Sequence, residues 1–212
     1  MSHSFTRGLA ARLSLGLASA ASLFGASVAS AGIHTWRVKE VFSNASGTIQ
    51  FVELIESQAA GAGAELGVAA TSITSNLKST NWSGATVTTP TGQKSFLIAS
   101  ATFAALPGAP TPDAIIPVGS MPFFNPAGDT ITFAGGIDSW TFGAVPTNGV
   151  NSLDRATGAG TNSPKNRLGA TGTVNAAPAP VPSVSFWMAA GLVSALCAMG
   201  AVALRRRASA CR

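Results

Sequence analysis

The chain has 212 residues, of which 46% are hydrophobic and only 10% are charged, whereas a typical soluble domain has about 25% charged residues. The formal net charge is +5. Residues 32–175 contain all eight acidic residues but only seven of the thirteen basic ones, so this middle region has a net charge of −1 and the two ends hold the other six basic residues. A nucleic-acid-binding domain has a basic patch on its folded surface, and this distribution excludes one.

The amino-terminal segment has the composition of a secretory signal peptide. Arg7 and Arg12 are followed by an uncharged stretch rich in leucine and alanine, and Ala29 and Ala31 place small residues at positions −3 and −1 of a cleavage site. We predict a signal peptide over residues 1–31, removed by signal peptidase. The alternative is an uncleaved anchor, but eight serines and glycines interrupt the uncharged run and weaken its partitioning into a membrane.

The carboxyl-terminal segment contains a second uncharged run, of 21 residues, at 184–204. As a helix with about 1.5 Å rise per residue it would be about 31 Å long, which matches the bilayer hydrocarbon core of about 30 Å. An arginine cluster follows, and such clusters favour the cytoplasmic side of the membrane. We predict a Pro/Ala linker at 176–182, a transmembrane helix at 183–204 and a basic cytoplasmic tail at 205–212.

A short motif lies where the linker meets the apolar run. It reads Val181-Pro182-Ser183-Val184-Ser185-Phe186-Trp187, and the arginines after the run are Arg205, Arg206 and Arg207. This layout resembles a bacterial C-terminal protein-sorting domain of the Ile-Pro-Thr-Leu-Ser-Glu-Trp type, related to the Pro-Glu-Pro class. Phe186 and Met188 depart from the glutamate and glycine of that family. The resemblance implies processing by a membrane-embedded sorting protease and delivery to the cell surface.

Residues 32–175 have the pattern of one small β domain. Near-alternating apolar and polar residues predict six strands, at 35–42, 48–56, 85–89, 95–99, 130–134 and 137–142. Asn44 to Gly47 is a turn signal between the first two strands, and Gly135-Gly136 suits a tight hairpin turn between the last two. Six prolines predict a long loop at 107–127. Short strands separated by turns are typical of a β-sandwich, so the predicted fold class is all-β.

The first predicted hairpin also resembles the opening of the lamin-tail-like domain. The similar segments are Val38 to Asn44, Gly47 and Gln50 to Leu54, with looser similarity at 95–99 and 150–155. The resemblance implies an immunoglobulin-like β-sandwich, and bacterial members of the family are often extracellular binding or structural modules. The Asn-Pro-Gly stretch of the family is replaced here by an Ala/Gly-rich segment at 58–67.

The β domain offers few candidates for catalysis, and we predict no catalytic residue, no metal site and no cofactor. Both cysteines lie outside it, and its one histidine, His34, lies near the predicted mature amino terminus. Asp129 and Asp138 are expected to serve turns. Trp82 lies in a polar stretch and is the predicted ligand contact, whereas Trp36 and Trp140 lie inside predicted strands and are expected in the core.

Glu53 and Glu56 are the nearest pair of carboxylates. Three positions apart on a strand, they point to opposite faces, and we expect both to be solvent-side or edge acids. Glu53 is expected to pair with Arg37 or Lys39 across the hairpin.

The predicted function is that of an exported, non-catalytic structural or adhesive module at the cell surface or in the surrounding matrix. Extracellular polysaccharide and surface proteins are its candidate ligands. Two alternatives stay open. One is an exported hydrolase with a carboxylate site built from Glu53, Glu56 and Asp113 or Asp154, and the other is a membrane protein permanently anchored by a single span.

Overall fold

The computed structural model describes residues 32–178, and its regular structure is almost entirely β-sheet. The predicted signal peptide with Ala29 and Ala31, the motif from Val181 to Trp187 and the three arginines that follow it lie outside the described residues. Within the described range, no helix combines the length and the apolar composition that crossing a bilayer requires.

Between residues 32 and 178, ten strands form two sheets. In chain order they are β1 (Trp36–Ser43), β2 (Gln50–Glu56), β3 (Thr71–Thr74), β4 (Ser79–Trp82), β5 (Ser95–Ser100), β6 (Ala114–Ile116), β7 (Asp129–Phe133), β8 (Asp138–Phe142), β9 (Asn151–Asp154) and β10 (Gly158–Thr161). The larger sheet has the order β10-β9-β1-β2-β5-β6 and the smaller one β4-β3-β7-β8. All neighbours are antiparallel except β5 and β6. The helical elements are short, at Leu66–Ala69, Ala101–Ala104 and Val118–Ser120.

The main hydrophobic core lies between the two sheets. Val38 and Leu54 from the larger sheet belong to the same cluster of fully buried side chains as Ile73 and Phe133 from the smaller one. The sheets therefore pack face to face across their apolar sides, as in a β-sandwich. The predicted all-β class is confirmed.

The first hairpin forms as predicted. The Asn44 side chain accepts a hydrogen bond from the Ile49 backbone N–H at 3.1 Å, and Gly47 takes the left-handed φ of 69° that the turn requires. β1 and β2 then pair along their whole length, except that the register shifts between Val38 and Glu40. This β-bulge leaves Lys39 as the extra residue of β1.

A second apolar cluster covers the opposite, outer face of the larger sheet. Phe42, Phe51 and Leu97 from the strands pack there with Phe103 from the helical turn and with Val174 near the end of the described chain. Phe42 and Phe51 stack with ring centroids 5.3 Å apart. Strands β2 and β5 are therefore buried on both faces, and this sheet is a middle layer for part of its area.

The structure corrects the predicted strands in two respects. Residues 85–89 form no strand, since they have no ladder partner along their length. Five strands were not predicted, namely β3, β4, β6, β9 and β10, of which β6 lies inside the predicted 107–127 loop. Each of the five has only three or four residues, too few for an alternating pattern to emerge from the sequence.

Candidate functional site

The last part of the described chain, residues 162–176, lies against the outer face of the larger sheet, and we call it the closing segment. The backbone N–H of Ser163 donates to Glu40 on β1, and that of Lys165 donates to Glu53 on β2, each at 2.9 Å. The Ser163 hydroxyl donates to the second oxygen of Glu40 at 3.0 Å. Both glutamates are fully buried, so these donors replace the water that a carboxylate would otherwise bind.

A third carboxylate continues the series. Asp113, next to β6, accepts hydrogen bonds from the Arg167 and Leu97 backbone N–H groups, both at 2.8 Å. The Arg167 guanidinium also forms an ion pair with it, with Nε and Oδ1 3.2 Å apart. The closing segment thus crosses β1, β2 and the β5–β6 pair, and the N–H groups of residues 163, 165 and 167 each donate to an acid on or beside the sheet.

Asn162 ties the two ends of the closing segment together. Its side-chain amide donates to the Val174 carbonyl at 2.8 Å and accepts from the Val174 N–H at the same distance. Ala176 then donates to the Gly149 carbonyl at 2.7 Å. The segment is therefore a closed loop fixed at both ends as well as along its path.

Lys39, the bulge residue, lies at the centre of the acids. Its Nζ is 3.2 Å from Glu53 Oε1, 3.5 Å from Glu40 Oε2 and 3.8 Å from Asp154 Oδ2. Burial lowers the pKa of Lys39, but the three negative charges outweigh burial and the net pKa is raised. The predicted pairing of Glu53 with Lys39 is confirmed.

Burial also decides the pKa of two of the acids. For Glu53 the loss of water raises the pKa more than Lys39 and the Ser95 hydroxyl lower it. For Asp113 burial likewise raises the pKa, against the two backbone N–H donors and the charge of Arg167. Both carboxyl groups therefore hold a proton more readily than they would in an unfolded chain.

Beside Lys39 there is an open charged cleft of about 610 Å³. Arg37, Lys39 and Arg155 line it together with Asp138 and Asp154. Arg155 Nη1 donates to Asp138 Oδ2 at 2.7 Å, and its guanidinium lies 5.8 Å from the centre of the Trp140 ring, which is half-buried against the main core. The bases of the cleft are thus already paired with acids of the same cleft.

Asp138 and Asp129 differ in role. Asp129 accepts from the Asn125 N–H at 2.8 Å and closes the turn before β7, as predicted. Asp138 is not a turn residue: it lies on β8 and accepts from the Val38 N–H on β1 at 2.8 Å, so it joins the two sheets.

The structure separates the two predicted glutamates. Glu53 engages Lys39 and the closing segment, whereas Glu56 accepts from the Gln58 N–H and its Oε2 has no hydrogen-bond partner in the described part of the chain. Their placement as solvent-side or edge acids is wrong, because both are fully buried on the central strand β2. Of the set weighed for a hydrolase, Glu53 and Asp154 both lie within 4 Å of Lys39 Nζ, whereas Asp113 pairs with Arg167.

Trp82 is half-buried rather than free in a polar loop. Its ring stacks on Phe96 and Phe133, with centroid separations of 5.5 and 6.5 Å, and its Nε1 donates to the Val68 carbonyl at 2.7 Å. Together with Asn81 it lines a shallow cleft of about 440 Å³. Its ligand contact stays a prediction. Trp36 is fully buried, as expected.

The remaining sequence candidates do not converge on a reactive centre. The His34 side chain is 74% exposed, and its Nδ1 lies 3.8 Å from Glu65. Within residues 32–178, no group of three or more His, Cys, Asp or Glu side chains is arranged to hold a metal ion.

Sequence reasoning missed the closing segment altogether. Its Asn-Ser-Pro-Lys-Asn run at 162–166 has no periodicity, and its partners are more than a hundred residues away for Glu40 and Glu53. The available signal was an acid between large apolar residues, as Glu53 is between Val52 and Leu54 on β2.

Comparison with known proteins gives no relative. No family model, no curated protein and no solved structure matches this chain.

Proposed function

We propose that the protein is an exported, non-catalytic structural or adhesive module, displayed at the cell surface or released into the matrix after a membrane-embedded sorting protease cuts its tail. The observation that supports export is the order of features along the chain. A signal-like segment precedes the β domain, and a Pro/Ala linker, the Val181–Trp187 motif, an apolar run and three arginines follow it.

We further propose that the β domain is an immunoglobulin-like sandwich of the lamin-tail type. The segments with that resemblance, at 38–44, 50–54, 95–99 and 150–155, supply four strands that are neighbours in one sheet, in the order β9-β1-β2-β5. Segments of a family motif that are distant in sequence but adjacent in the fold support a shared architecture.

A non-catalytic role is supported by what the buried acids do. Glu40, Glu53 and Asp113 hold the closing segment on the sheet. Carboxylates that accept hydrogen bonds from backbone N–H groups in this way are satisfied within the fold, which is a cohesive role.

Cell fractionation combined with intact mass measurement tests the proposal. The expected mature chain begins at Gly32, has lost residues after the Val181–Trp187 motif, and is found at the surface or in the medium. A motif variant, Pro182→Ala with Trp187→Ala, is expected to keep its tail, whereas Cys197→Ala is processed like the parent protein.

Two results would contradict the proposal in different ways. A chain that begins at Gly32 but keeps Arg212 in the membrane fraction removes the sorting step and leaves a permanently anchored module. A cytosolic chain with both Met1 and Arg212 intact removes export itself.

A further inference from the structure

The outer face of the smaller sheet is an ordered array of uncharged hydrogen-bonding side chains. Alternate residues of its strands point inward to the core, including Ile73, Ile131 and Phe133, and the others point outward. The outward set consists of seven hydroxyl side chains and one amide, and none of its side chains is charged or apolar. Its members are Ser72, Thr74, Ser79, Asn81, Thr130, Thr132, Ser139 and Thr141. We call this set the hydroxyl face.

One row of the hydroxyl face crosses all four strands. Thr74 is paired in register with Ser79 on one side and with Thr132 on the other, and Thr132 is paired with Ser139. Neighbouring strands lie about 4.8 Å apart, so four hydroxyls stand in a line about 14 Å long. The Thr130–Thr141 pair, with its hydroxyls 2.8 Å apart, flanks this row two residues further along the strands.

The chemistry of the face restricts what it can bind. A nucleic acid or an anionic polymer is held mainly by basic side chains, and the face has none. A protein partner is held mainly by buried aromatic or arginine anchors, and none points outward here. Fixed hydroxyls act as both donors and acceptors, which complements a neutral partner that presents many hydroxyls of its own.

We propose that the hydroxyl face is a binding surface for a neutral polysaccharide. The β-sheet fixes the array before binding, so little conformational entropy is lost on contact. At the β4 edge the face continues into the shallow cleft beside Trp82, because Asn81 belongs to both. A sugar ring seated there would contact Trp82, which lines the cleft. This assignment rests on the proposed adhesive function and names its ligand class.

The test is retention of the purified full-length chain, in mild detergent, on insoluble microcrystalline cellulose, chitin and (1→3)-β-glucan, with calcium alginate gel as an anionic comparison. We expect retention on at least one neutral polymer and none on alginate. The variant Thr74→Lys with Ser139→Lys places two exposed charges in the central row and is expected to weaken retention at least tenfold.

A matched variant, Ala159→Lys with Thr161→Lys, adds the same charge on β10 of the other sheet and should bind like the parent protein. Thermal unfolding of both variants shows that the fold is retained. The proposal is overturned if the parent chain is not retained on any of the three neutral polymers, is retained only on alginate, or loses no more affinity from the first pair of lysines than from the second. Localisation is measured separately, so failure here leaves the export proposal standing, and the reverse also holds.

Discussion

At the scale of single residues, the two acids on β2 show how the surroundings of a buried carboxylate determine its contribution to the fold. Glu53 and Glu56 lie on one strand and are both fully buried, yet only Glu53 faces Lys39 and the closing segment. A buried charge is tolerated when it is paired and is costly when it is not. The two residues should therefore respond differently to the same substitution.

We expect Glu53→Gln to lower the free energy of unfolding by about 2 to 3 kcal/mol, because charge-assisted hydrogen bonds are lost. Glu56→Gln is expected to change it by less than about 1 kcal/mol, since Oε2 has no partner in the described residues and the charge is removed from a buried site. Urea unfolding of the two variants makes the comparison. Equal losses would contradict the different roles assigned to these side chains.

Lys39 gives a second residue-scale prediction. Replacing it by methionine leaves Glu40, Glu53 and Asp154 without their shared cation, and we expect a loss of about 3 kcal/mol in urea unfolding. Lys78→Met, at an exposed turn position, is the matched control and should change stability little. Similar losses in both variants would argue against a central role for Lys39.

At the scale of elements, a segment could be predicted from the sequence when its strand was long and when its contacts were close along the chain. Five strands were predictable because each has at least five residues, enough to show an alternating pattern, namely β1, β2, β5, β7 and β8. The first hairpin also has a local turn signal at Asn44 to Gly47. The closing segment was not predictable, because its structure depends on acids far away in sequence. The burial of Glu53 was missed for the same reason, since that segment covers the second face of β2.

The burial of Asp113, beside the closing segment, also makes stability depend on pH. The raised pKa of Asp113 means that, from about pH 4 upward to that raised value, the folded state binds more proton than the unfolded one. The stabilisation that this group contributes is therefore complete below its unfolded-state pKa. It is lost as the pH rises through the window between the unfolded-state and the folded-state pKa.

Comparing the parent chain with Asp113→Asn isolates this effect. The difference in free energy of unfolding, parent minus variant, should fall as pH rises through the window and then become constant. Urea unfolding at several pH values measures it. A difference that grows with pH would reverse the sign of the shift assigned to Asp113.

At the scale of the whole molecule, the domain has two apolar layers, and only the first is enclosed by the two sheets. The second layer, with Phe42, Phe51 and Phe103, is covered in part by Val174 and Ala176. A chain that ends after residue 161 would keep all ten strands but leave these aromatic rings partly uncovered.

We expect a chain of residues 32–178 to unfold cooperatively and one of residues 32–161 to bind a hydrophobic dye such as ANS and to lose its near-ultraviolet tryptophan signal. The buried Trp36 and the half-buried Trp82 supply that signal. If the shorter chain unfolds at the same urea concentration as the longer one, the closing segment is dispensable for the fold.

The position of the closing segment has a consequence for how the polypeptide reaches its native state. Ribosomes release proteins amino end first, so β1 and β2 emerge more than a hundred residues before Ser163 and Lys165 arrive to satisfy Glu40 and Glu53. Until then Glu40 and Glu53 lack these donors and the second apolar layer lacks part of its cover, and exposed apolar surface favours aggregation. The domain can therefore complete its fold only after the closing segment has been synthesised, so the end of the described chain controls when the amino-terminal hairpin is stabilised.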